Sequence, residues 1–226
     1  MDTTRVTTER PVRIQAGDVV LQGDLAVPAS SRGIVLFAHG SGSSRRSPRN
    51  RYVAGVLREA GLATLLMDLL TMDEEAVDVR TGHLRFDIGL LAERLGHATD
   101  WLRADSEMGH LKIGYFGAST GAGAALVAAA ARPDAVAAIV SRGGRPDLAG
   151  AALARVQAPT LLIVGGHDHV VIKLNREALQ HLRSEAKLEI VPGAGHLFEE
   201  AGTLEAVAGL ARGWFHRHLL GLSRSP

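Results

Sequence analysis

The 226-residue chain contains no cysteine, which excludes disulfide scaffolds, thiolate metal sites and a cysteine nucleophile together. Neither charge sign is in excess. With 25 Lys+Arg against 24 Asp+Glu and a formal net charge of +1, bulk charge gives no reason to expect a nucleic-acid partner. No apolar run is long enough to span a bilayer: the most apolar stretch, residues 122–131, is bounded by Gly121 and by Arg132-Pro133 and reads as a buried helix. No membrane partner is expected. Residues 1–13 mix both charge signs without a signal-peptide core, so the expected location is cytoplasmic. What remains is a composition with 46% apolar and 22% charged residues, enough to bury a full core.

Two β-type runs, residues 12–15 and 19–27, flank Ala16-Gly17-Asp18 and predict an N-terminal antiparallel hairpin, with residues 1–10 expected as a flexible tail. Apolar runs of strand length follow at 34–38, 63–67, 112–116, 135–140, 160–164 and 188–191, as strands covered on both faces require. Helical patterns lie between them at 49–60, 84–104, 120–131, 148–154, 173–183 and 203–220. This alternation predicts an α/β fold with one mostly parallel, doubly wound sheet. No linker or repeat divides it, so residues 1–226 are expected to form a single domain. The segment 141–158 between two strands is too short for a lid domain. In such a sheet the chemistry collects where loops leave the carboxyl ends of the strands.

The run ending at Phe116 is followed by Gly117-Ala118-Ser119-Thr120-Gly121 and an apolar helix, the context of a nucleophile elbow. The same pentapeptide also fits a capped strand-to-helix turn or a phosphate loop. Two later strands are followed by Gly166-His167-Asp168 and by Gly193-Ala194-Gly195-His196. The order Ser119, Asp168, His196 is the nucleophile, acid, base order of α/β-hydrolases. After the run 34–38 stands His39-Gly40-Ser41-Gly42, whose small residues suit an oxyanion loop. The backbone amides of Ser41 and Thr120 are the candidate oxyanion donors.

These motifs together resemble the dienelactone hydrolase family of α/β-hydrolases, and the likeness runs through nearly the whole chain, including Ser141-Arg142-Gly143-Gly144-Arg145. Typical members carry a cysteine nucleophile where this chain has Ser119. The resemblance therefore implies a serine esterase for small, soluble carboxylic esters or lactones, with phosphotriester hydrolysis as a side activity and neither cofactor nor metal. A monomer or homodimer is expected. The alternative is a hydrolase-fold module that binds a small molecule without catalysis.

Other residues carry less. His167 and His169 flank Asp168, but no further metal ligands accompany them. His216 and His218 read as surface residues of the terminal helix. Arg45, Arg46, Arg49 and Arg51 either form a basic mouth for anionic acyl groups or are solvated charge or ion pairs holding the loop. Arg142 either meets a substrate carboxylate or pairs with an acid such as Asp147. Asp68, Asp73, Glu74 and Glu75 read as loop or cap residues.

Overall fold

A hairpin opens the sheet. In the computed structural model, which describes residues 7–221, β1 (Thr7–Ala16) and β2 (Val19–Pro28) pair antiparallel from Thr7 opposite Pro28 to Ala16 opposite Val19. The turn between them uses Gly17 at φ 60°, a left-handed conformation that glycine adopts without penalty. The flexible tail expected over residues 1–10 is corrected at 7–10, whose backbone is paired to residues 25–28; residues 1–6 lie outside the described part.

The remaining strands are β3 (Gly33–Ala38), β4 (Ala63–Met67), β5 (Lys112–Ala118), β6 (Val136–Arg142), β7 (Thr160–Gly165) and β8 (Ala186–Val191), and the eight run in the order β1-β2-β4-β3-β5-β6-β7-β8. Strands β3 to β8 are mutually parallel, and β2 joins β4 antiparallel. From β3 the chain moves to β4 on one side and to β5 on the other. That reversal opens a crevice beyond the carboxyl ends of β3 and β5, where ligands bind in open α/β sheets.

Helices cover both faces. On one, α3 (Ile88–Ala104) and α4 (Thr120–Ala131) bury Leu36, Tyr115 and Ile139 of the sheet. On the other, α1 (Pro48–Glu59) and α6 (Thr203–Leu220) bury Val35, Phe37 and Phe116. This two-sided burial explains why the inner strands read as unbroken apolar runs rather than alternating ones. α4 is buried nearly all round, and its alanines and glycines let it lie close to the strands.

Several boundaries differ from the sequence reading. The ladder between β5 and β6 continues past the apolar runs, pairing Gly117 with Ser141 and Ala118 with Arg142. Arg142 therefore ends a strand rather than following one. Helix α2 (Met72–Thr81) was not expected, because it lacks an apolar stripe. It forms through its termini: Thr71 and Glu74 make a reciprocal capping box and Gly82 closes the other end in the left-handed region. The pattern 84–104 is broken at Asp87, which caps α3 after a short 3-10 turn, Leu84–Phe86. The expected helix 148–154 is 3-10 in character and kinked at Gly150. α5 (His169–His181) starts earlier than residue 173 because Asp168 caps it. Among the described residues no helix is long and apolar enough to cross a membrane.

Candidate active site

Ser119 has φ 50° and ψ −121°, a strained combination for a residue with a side chain. The surrounding backbone holds it there. Its N–H donates to Arg142 O at 3.2 Å, and its carbonyl accepts from Ala122 N and Arg145 N, both at 3.0 Å. The flanking glycines are needed for closeness: a Cβ on Gly117 would lie 2.4 Å from Ala122 Cα, and one on Gly121 would lie 2.3 Å from Ala38 O. Ser119 thus stands at the amino end of α4, where helix amides and dipole favour negative charge.

The loop after β3 packs against it. A Cβ on Gly40 would sit 3.1 Å from Ser119 Cβ. Beside it, Ser41 N–H donates to Thr120 Oγ1 at 2.9 Å. The two residues read as oxyanion donors are therefore neighbours, and the Ser41 amide is engaged by the Thr120 hydroxyl. His39 fixes the loop from below. Its Nε2 accepts Leu69 N–H and its Nδ1 faces Gly40 O, each at 3.0 Å, which assigns the ring proton to Nδ1. Burial pushes the His39 pKa down, so the lock operates with a neutral ring.

Asp168 caps α5 by accepting Val171 N–H on Oδ1, while Oδ2 lies 2.6 Å from His196 Nδ1. That bond leaves His196 Nε2 as the free nitrogen. The loops bearing the two residues are joined by backbone: Gly166 N donates to Val191 O at 2.8 Å and His167 N to Ala194 O at 2.9 Å. Their approach requires Gly165, whose Cβ would stand 2.4 Å from Gly195 O. The His196 loop is tied further by Glu200, which accepts Gly195 N–H at 3.0 Å, and by buried Phe198.

His196 and Ser119 are both neighbours of the end of β6. Ser119 bonds Arg142, and a Cβ on Gly143 would lie 3.6 Å from His196 Cε1. No hydrogen bond joins the Ser119 hydroxyl to His196 among the described residues. Such contacts commonly tighten only when substrate is bound.

A cleft of about 800 Å3 extends from the loop after β3 to α2, lined by apolar Leu70, Met72 and Val79 and by charged Arg45, Arg46, Asp68 and Glu75. The structure separates the arginines read as a basic mouth. Arg45 is paired with Asp68 and Asp24, and Arg49 with Glu199, whereas Arg46 and Arg51 are exposed. Asp147 pairs with Arg145 and not with Arg142. Glu74 does serve as a cap, and also grips Arg94 of α3. His216 and His218 are half-buried rather than superficial: His216 faces Ala60 O at 3.0 Å and His218 lies against Trp214. His167 and His169 are exposed, and no three metal-ligating side chains gather among the described residues.

The sequence reading missed the His39 lock, Glu200, and Asn50, which is buried at the start of α1. His39 could have been read from its place beside Gly40; the other two have no signal before the fold brings their partners near.

The parallel sheet, the strained serine after β5 and the acid and histidine after β7 and β8 define an α/β-hydrolase. The family model of the dienelactone hydrolase family matches residues 21–213, and the chain belongs to that family. It is similar to the crystal structure of a dienelactone hydrolase from Anabaena variabilis ATCC 29413, with 63% identity, 94% of this chain and 99% of that chain covered, and a TM-score of 0.93. Est1E from Butyrivibrio proteoclasticus shares the fold at 16% identity, with 93% and 99% of the chains covered and a TM-score of 0.77. Two Mycobacterium tuberculosis proteins with a provisional phosphoribosyl transferase name are 59% identical over 94% of this chain. The chain spans only 47% of their length, about half of each.

Proposed function

We propose that the chain is a serine ester hydrolase in which Ser119 is the nucleophile, His196 the base and Asp168 the residue that orients the base. The observation that carries this reading is the 2.6 Å contact between Asp168 Oδ2 and His196 Nδ1, on loops held beside a serine whose φ is 50°. His196 Nε2 takes the hydroxyl proton as Ser119 Oγ attacks the ester carbonyl, and Asp168 stabilises the imidazolium. The oxyanion is received at the amino end of α4 by the Thr120 N–H, and the Ser41 amide joins it once substrate displaces the Thr120 hydroxyl to which that amide donates. Collapse breaks the bond to the alcohol, which leaves with the proton from His196. Water then loses a proton to His196 as it attacks the acyl carbon, and the bond to Ser119 Oγ breaks, Oγ taking that proton back from His196 as the acid leaves.

Leu70, Met72 and Val79 in the cleft beside α2 offer an apolar surface for the uncharged part of a small ester or lactone. The same nucleophile is open to a phosphotriester, the activity named for P91, a dienelactone hydrolase-like promiscuous phosphotriesterase that shares the fold at 20% identity, with 91% of this chain and 95% of that one covered and a TM-score of 0.73. The phosphoribosyl transferase name belongs to chains about twice as long and is not carried over.

The experiment is turnover of a series of 4-nitrophenyl esters by wild type and by Ser119→Ala. Hydrolysis by wild type with loss on the order of 10⁴ or more in the variant supports the reading. Equal rates contradict it, and binding of the esters without turnover by wild type would favour a non-catalytic module.

A further inference from the structure

Arg142 is an unusual residue to find at the carboxyl end of β6, where its backbone meets Ser119. It is only 7% exposed, yet no carboxylate pairs with it among the described residues. Its guanidinium makes one hydrogen bond, from Nη2 to the neutral Asn50 Oδ1 at 3.2 Å, and its buried Nε–H has no acceptor. The nearest charge makes matters worse. Arg49, one residue before Asn50 in α1, repels it, and burial together with that repulsion lowers the Arg142 pKa to about 10, so the group is still cationic at neutral pH. Arg49 Nε is likewise buried without an acceptor, although its Nη1 reaches the exposed Glu199 at 3.1 Å.

An uncompensated buried cation is among the costliest features a fold can carry. Perturbed ionisable groups of this kind cluster where function uses them. The position of Arg142 fits that logic: its carbonyl receives the Ser119 N–H, and the residue after it lies against His196. Asp147 leaves this charge uncompensated, because it pairs with Arg145.

We propose that Arg142, with Arg49 beside it and Asn50 setting its orientation, forms a subsite for an oxyanion group on the substrate, a carboxylate or a phosphate. The planar guanidinium fork matches both groups, and an anion reaching it would offset two neighbouring positive charges. The substrate would then carry its negative group on the α1 side of Ser119 and its uncharged part in the cleft toward α2. The reaction rests on the hydrolase reading; the binding does not.

The test has a binding arm and a kinetic arm. Glutarate and inorganic phosphate are titrated calorimetrically into wild type, Arg142→Met and Arg49→Gln, and kcat/KM is measured for 4-nitrophenyl acetate and for mono(4-nitrophenyl) glutarate. We expect wild type to bind at least one of the two anions, the tighter one identifying the group. In Arg142→Met that affinity, and the ratio of kcat/KM for the anionic over the neutral ester, should each fall by about 10- to 100-fold, the scale of charge-assisted hydrogen bonds. The thermal midpoint of Arg142→Met should match or exceed that of wild type, because an unpaired buried charge is removed. Should this variant not fold, Arg49→Gln decides, with a predicted weakening of about 3- to 10-fold. Absence of binding to wild type, or affinity and ratio unchanged in the variants, overturns the subsite. Glutarate bound through Arg142 by a protein that hydrolyses neither ester would leave the subsite standing and overturn the hydrolase reading.

Discussion

The Ser41 amide donates to the Thr120 hydroxyl over 2.9 Å, so the loop after β3 is fastened to the residue that follows Ser119. The fastening sets the spacing between the two amides assigned to the oxyanion. In the proposed mechanism the Ser41 N–H turns to the oxyanion only when substrate displaces this hydroxyl. Thr120→Val keeps the shape and removes the oxygen. It should lower kcat by about 10- to 100-fold with a smaller change in KM, less than the loss of an oxyanion-hole donor itself because both amides remain. Thr120→Ser should recover most of the rate. A Val variant as fast as wild type would show that the contact does not matter to the hole.

Asp168 and its two flanking histidines separate an orienting acid from a metal ligand. Asp168→Asn should reduce kcat by orders of magnitude, because an amide facing His196 Nδ1 favours the wrong tautomer. His167→Ala and His169→Ala should have mild effects, since both side chains are exposed. A chelator should leave the rate unchanged. Loss of rate with chelator, restored by a divalent cation, would transfer the role of Asp168 to metal binding.

His39 gives stability a pH dependence of known sign. Burial lowers its folded-state pKa, so above the unfolded value of about 6.5 neither state holds the proton and nothing is lost. Below that value the unfolded chain takes up a proton that the folded chain refuses. Stability then falls, by up to about 1.4 kcal/mol per pH unit. Thermal midpoints measured from pH 6.5 to 5 should drop more steeply for wild type than for His39→Gln. Parallel slopes would mean that His39 is not held neutral by the fold.

Much of this architecture was readable because the sheet is buried on both faces. Runs such as residues 34–38 and 160–164 are apolar throughout, and each is followed by the residues that matter. The candidate residues are spaced far apart in sequence but share one rule, placement just past a strand, and that rule alone brought Ser119, Asp168 and His196 together. What escaped the reading depends on termini and partners. Helix α2 owes its existence to the Thr71–Glu74 capping box rather than to an apolar stripe. The extension of β6 through Ser141-Arg142 follows from pairing with β5, which no local pattern records. For Arg142 the sequence leaves a substrate carboxylate and an acid such as Asp147 as alternatives, and the fold gives Asp147 to Arg145 and leaves Arg142 with Asn50.

The central claim is that Ser119 is an activated nucleophile. A fluorophosphonate reagent reacts with an activated serine and spares ordinary hydroxyls, so labelling of wild type followed by peptide mass analysis addresses it directly. The account predicts one adduct per chain, located on Ser119, formed slowly in Asp168→Asn and absent in Ser119→Ala. An unlabelled wild-type protein, or an adduct on another residue that persists in Ser119→Ala, would contradict it.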